Sequence, residues 1–175
     1  DGVLPGVALR SSGENGLDSQ PWLASSNLGR MADIIAADLV RLAPSESEAI
    51  EANLAEIKQR LLKLTAANES RLIELDNLSV VTLSDGFNYL IAGLNLDHII
   101  LSEGSSEDMR QLGEQLTRND VAVVISDKAV TPEVQQAITA SGAQLTVLDQ
   151  ESEDPIDDLA GKTDALISAL ERAGQ

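Results

Sequence analysis

A four-stranded parallel α/β sheet flanked by helices, preceded by one helix and a long connecting helix, is the fold class this sequence predicts. Three observations predict it. A helical stripe without Gly or Pro runs from Ser45 to Asp76. After Asp76, short β-rich runs alternate with helical patterns. Two of those runs, His98-Ile99-Ile100-Leu101 and Val121-Ala122-Val123-Val124-Ile125, are continuous rather than alternating, as in strands covered on both faces.

Taken in order, residues 1–20 are rich in Gly, Ser and Asn, with apolar Val3, Leu4, Val7 and Leu9. They read as a frayed strand and then a loop through Ser11–Gln20. A first helix is expected from about Asn27 to Leu42, capped by Ser25 or Ser26. Its stripe of Leu28, Met31, Ile35, Leu39 and Leu42 should pack on the long helix. Pro44 separates the two. Ser45 and Glu48 have the spacing of a capping box. Ile50, Leu54, Ile57, Leu61 and Leu64, and after polar Asn68 Leu72 and Leu75, then recur at steps of three and four. At about 1.5 Å per residue the helix would reach roughly 45 Å, enough to span two lobes or meet a partner.

The sheet strands are predicted at Leu78–Leu83, Asp97–Leu101, Val121–Ile125 and Gln144–Leu148. Helices follow at Phe87–Leu94, Glu107–Arg118, Pro132–Ser141 and Ile156–Arg172. Ser105 before Asp108, Thr131 before Pro132 and Asp154 before Pro155 mark helix starts. Ligands of such sheets sit beyond the carboxyl ends of the strands. Those ends carry Ser84-Asp85, Ser102-Glu103, Ser126-Asp127 and Asp149.

Composition narrows the functions. Twelve basic against 29 acidic side chains give a net charge of −17, a field that repels phosphate backbones and anionic lipid but not cations. There is no cysteine, which excludes thiolate zinc sites, iron–sulfur clusters and disulfides. No apolar run approaches the roughly 18 residues of a membrane span. The chain begins at Asp1 without a signal-peptide pattern, as a mature exported protein or an excised piece would.

Phosphate-cradling motifs are absent, which argues against a nucleotide site. A Ser-His-Asp hydrolase would need His98, the single histidine, but that residue lies within a strand and reads as a core or edge histidine. One histidine also cannot build an imidazole zinc site. Asp85, Glu103, Asp127 and Asp149 could offer oxygen ligands to a hard cation from one rim. The plain alternative is that they are loop residues and helix caps, like the acidic stretch Asp149–Asp158.

Several segments resemble, in order, the periplasmic metal-binding receptors of zinc and manganese ABC importers, two α/β lobes joined by a long helix. Asp18-Ser19-Gln20-Pro21-Trp22-Leu23 is similar to the family's Asp-Pro-His-x-Trp-Leu. Ser84-Asp85-Gly86-Phe87-Asn88-Tyr89-Leu90 is similar to His-Asp-Ala-Tyr-x-Tyr-Phe. Ile125-Ser126-Asp127-Lys128 stands where the family has Phe-x-Glu-Pro, and Val147-Leu148-Asp149 resembles the closing strand and its aspartate. The terminal helix with Asp164-Ala165-Leu166 also fits. The resemblance implies that residues 1–43 end a mostly missing amino-terminal lobe, 44–76 form the connecting helix and 77–175 form the carboxyl-terminal lobe.

By position, the resemblance makes Gln20 and Ser84 the family's second and third histidine ligands. Asp127 replaces its glutamate, and Asp149 is retained. It therefore implies a solute-binding component with a diverged site that binds a divalent metal ion (zinc, manganese or iron) or a metal complex weakly. It also implies a membrane permease as partner, a periplasmic or extracellular location, and no catalysis. The alternative is an interaction module that kept the lobe and lost metal binding. A flavodoxin-like enzyme is the third reading, against which stand the missing cofactor motifs. Without its amino-terminal lobe, the stripe near Ile50 and Leu54 would be under-covered and would drive dimerisation.

Overall fold

Val80 and Val81 are adjacent on β1 (Ser79–Thr82) and both fully buried, yet they belong to two different apolar cores. Successive strand side chains point to opposite faces, so the sheet is covered on both sides. A computed structural model describes residues 20–84, 86–101, 109–149 and 152–175. Among these residues β1, β2 (Asp97–His98), β3 (Val123–Ser126) and β4 (Gln144–Val147) form one parallel sheet in the order β2-β1-β3-β4. Val80 pairs in register with Val123, and Val123 with Gln144.

The helices are α1 (Ser25–Leu42), α2 (Ser47–Leu72), α3 (Asn88–Gly93), α4 (Met109–Arg118), α5 (Pro132–Ser141) and α6 (Pro155–Ala173). One face of the sheet offers Val80, Val123 and Ile125 to Leu61 and Leu72 of α2 and to Leu159, Leu166, Ile167 and Leu170 of α6. Leu23, Phe87, Tyr89 and Leu90 complete that core. The other face offers Val81 and Val124 to Leu112 and Leu116 of α4 and Ile138 of α5. The predicted α/β class is the observed one.

Two of the predicted caps form. The Thr131 hydroxyl accepts from the Val134 amide at 3.5 Å, and the Asp154 carboxylate accepts from the amides of Ile156 and Asp157 at 2.8 and 3.2 Å. Gly142, at φ +91°, ends α5 in the left-handed conformation that glycine adopts without strain.

Other expectations need correction. Ser45 does not cap α2. Pro44–Glu46 wind a tight 3-10 turn closed by the Glu46 amide on the Ala43 carbonyl, so Glu46 takes the position before the helix. Neither Ser25 nor Ser26 caps α1, which already includes both and follows Ala24. The long helix ends at Leu72, about 39 Å along at 1.5 Å per residue, because a tightened turn draws the Glu74 amide onto the Arg71 carbonyl. The strand expected at Asp97–Leu101 is only two residues long and lies at the sheet edge, paired to β1 alone. Covered on one side, it leaves Ile100 79% exposed. The strand and loop read in residues 1–19, and the Ser105 cap, lie outside the described residues.

Two arginines fasten α2 to α6. Arg71 makes a bidentate pair with Glu171 at 2.8 and 2.9 Å and also reaches Asp164 at 2.7 Å and the Ser168 hydroxyl at 3.0 Å. Arg60 reaches Asp154 at 3.0 Å and Asp157 at 2.8 Å.

Candidate functional site

Strand order reverses between β1 and β3: the chain leaves β1 for β2 on one side and returns to β3 on the other. A crevice outside the carboxyl ends of two such strands is where doubly wound sheets hold ligands. Ser84 follows β1 and Asp127 follows β3. The Asp127 amide donates to the Ser84 hydroxyl at 3.1 Å, tying the two loops across the switch point. Buried Ser126 shapes the β3 loop by donating its hydroxyl to the Lys128 carbonyl at 2.8 Å. Asp127 itself is exposed.

Gln20 reaches the same rim from the segment before the Pro21–Leu23 turn. Its side-chain amide lies over Gly86, where a Cβ would stand 3.6 Å from Gln20 Nε2. Gly86 has φ +107°, a backbone conformation that favours glycine, so the loop after β1 turns there beneath the amide.

Asp149 follows β4, the strand next to β3, and is exposed at the mouth of a cleft of about 290 Å³. Asp157, Asp158 and Lys162 of α6 line the same cleft. The Asp158 carboxylate accepts from the Ser152 amide at 3.3 Å and pairs with the Lys162 ammonium one turn later. Both of these side chains are buried. The sequence marks this pair only faintly. Its signal was an Asp-Lys spacing of four beside the apolar stripe of Leu159 and Leu166.

A groove of about 650 Å³ opens from Gln20 along α1 and α2. Met31, Ile35 and Leu39 form one wall and Ile50, Leu54 and Ile57 the other. The first helix packs on α2 as expected, but its stripe is covered unevenly. Leu28 is buried, but Ile35 and Leu39 stand about half exposed and Leu42 three-quarters.

The structure thus brings Ser84 and Asp127 into contact, sets Gln20 on the loop after Ser84, and places Asp149 at the end of the adjoining strand. Asp85 and Glu103 lie outside the described residues. His98 lies away from this rim, on the edge strand in register with Val80, and burial pushes its imidazole pKa down.

As a donor set, an amide, a hydroxyl and two carboxylates do not fit the imidazole-rich shell of a zinc site; they suit a hard, oxygen-seeking cation better. Among the described residues no group of three or more His, Cys, Asp or Glu side chains is placed to hold a metal ion. No helix among them is long and apolar enough to cross a membrane.

Residues 2–173 match the family model described as zinc-uptake complex component A, periplasmic. The fold is similar to that of an FpvC mutant from Pseudomonas aeruginosa, with a TM-score of 0.77 and 21% identity over 96% of this chain and 70% of that one. It is similar to ZnuA, with a TM-score of 0.75 and 22% identity over 95% and 67% of the two chains. A manganese-bound mutant of a periplasmic metal-binding protein from Candidatus Liberibacter asiaticus gives a TM-score of 0.74 and 18% identity over 95% and 69%. No curated protein matches by sequence.

Proposed function

The chain belongs to the family of periplasmic component A of zinc-uptake complexes, and from that premise we propose that it is a solute-binding component of an ABC importer whose ligand site has diverged. It binds and delivers; it does not turn over a substrate. The observation that supports this reading is the convergence of Ser84 and Asp127 across the β1/β3 switch point, with Gln20 on the same rim and Asp149 on the next strand.

The cargo is a divalent metal ion or a metal complex, held weakly. Asp149 and Asp127 supply carboxylate oxygens, while Gln20 and Ser84 contribute an amide and a hydroxyl in place of imidazoles. The partner is a membrane permease, and the setting is periplasmic or extracellular. The apolar groove between α1 and α2 seats the amino-terminal lobe, residues 1–43 being that lobe's end, 44–76 the connector and 77–175 the second lobe.

Calorimetric titration of the protein with zinc, manganese and iron(II) tests this reading. Saturable one-to-one binding that Asp149→Ala abolishes is the expected result. No heat with any of the three removes the metal form and leaves an interaction module.

A further inference from the structure

Three side chains line both the groove that ends at Gln20 and the cleft that holds Asp149: Ser152, Asp158 and Lys162. Two of them are charged and buried, with only 9% of the Asp158 side chain and 8% of the Lys162 side chain exposed. Lysine is almost never buried to this degree unless it is paired. Here Asp158 holds the ammonium, and the Ser152 amide, donating at 3.3 Å, helps to fix that carboxylate. The wall between two of the four expected ligand positions therefore contains a positive charge supplied by the protein.

The carboxylates of the cleft are mostly committed. Asp157 is paired with Arg60 at 2.8 Å and Asp158 with Lys162, while Asp149 enters no ion pair among the described residues. A divalent ion entering beside Asp149 would have to draw Asp158 away from Lys162 or do without a carboxylate whose charge the ammonium already offsets. Either choice weakens binding without any change at Asp149.

We propose that Lys162 determines the specificity of this rim: its ammonium takes up the negative charge that a divalent ion would otherwise neutralise, and so it disfavours bare divalent cations. This deepens the receptor reading and rests on it. It also assigns the weak binding to a residue outside the four ligand positions, so that loss of imidazoles is only part of the cause.

The test is calorimetric titration of manganese and zinc chlorides into the full chain, as wild type, Lys162→Gln and Lys162→Arg. Gln keeps a donor for Asp158 without the charge and should bind about tenfold tighter or more, whereas Arg should stay like wild type. Asp149→Ala added to Lys162→Gln should abolish the gain. Equal affinity in wild type and Lys162→Gln overturns the role of Lys162 and leaves the receptor reading standing. Binding by neither overturns both, and binding by Lys162→Gln alone supports the inference while removing native metal binding. Circular dichroism checks that Lys162→Gln is folded. If it is not, Asp158→Asn/Lys162→Met replaces the pair without orphaning a charge and should bind manganese more tightly than Asp158→Asn alone; equal affinity overturns the inference.

Discussion

The Ser84 hydroxyl accepts a hydrogen bond from the Asp127 backbone amide at 3.1 Å, so two loops 43 positions apart in sequence meet at the sheet's switch point. That contact fixes the spacing of the rim before any ligand arrives. Ser84→Ala should cost about 1 kcal/mol, the usual worth of one such bond. It should also accelerate hydrogen exchange at the Asp127 amide, read by NMR, while leaving the Val123 and Val124 amides protected. An unchanged Asp127 rate would show that the loops are held by other means.

Arg71→Met should lower the unfolding midpoint by a few degrees, since it removes the bidentate pair with Glu171 together with the contacts to Asp164 and Ser168. Surface exposure of the partners makes the contribution salt-sensitive, so the gap between wild type and variant should narrow in 1 M salt. A gap that does not narrow would assign the loss to the packing of the arginine stem.

The same clamps predict a pH signature. Hydrogen bonding to Arg60 holds the Asp154 carboxyl below its usual range, and Arg71 does the same for Glu171. A depressed carboxyl contributes stability above its unfolded pKa, near 4, and that contribution disappears as pH falls through the lower folded value. The stability difference between wild type and Arg60→Gln/Arg71→Gln should be constant above about pH 5 and shrink toward zero in stronger acid. His98 adds a separate step. Burial depresses its pKa, so its contribution is complete above about pH 6.5 and is lost as pH falls through the folded value. His98→Gln should flatten that step in urea titrations between pH 7.5 and 5.

The open groove predicts self-association of the 175-residue chain. Leu39, 45% exposed, and Leu42, 76% exposed, extend an apolar surface that the α1–α2 pair does not cover. Sedimentation should show a concentration-dependent dimer, and Leu39→Glu should return it to monomer with no loss of helix content. A strictly monomeric wild type would contradict this.

Much of the fold is legible in the sequence because its signals are local. The change from helical to strand rhythm after Asp76, and the Thr131-Pro132 and Asp154-Pro155 caps, involve neighbours only. What escaped depends on distant partners. Ile99-Ile100-Leu101 reads as a central strand, yet whether a strand has one neighbour or two is decided by β1 and the sheet order. Leu39 and Leu42 obey the helical period, but periodicity does not say what covers the stripe. At the rim, strand ends pointed to Ser84 and Asp127, and their meeting is observed. Asp158 and Lys162 were missed because an i, i+4 pair normally marks a solvated helix face, and only the packing of α6 on the sheet buries it.

Arg60 and Arg71 grip α6 eleven positions apart, about 16 Å along α2. Since α6 follows every other described element, the bearing of α2 is set by a helix synthesised after all of them. Until then Leu61 and Leu72 lack Leu159, Leu166, Ile167 and Leu170, the residues that close their core. The α1–α2 pair is therefore synthesised about eighty residues ahead of the helix that closes its core. Chaperone demand during translation should fall sharply once α6 is released.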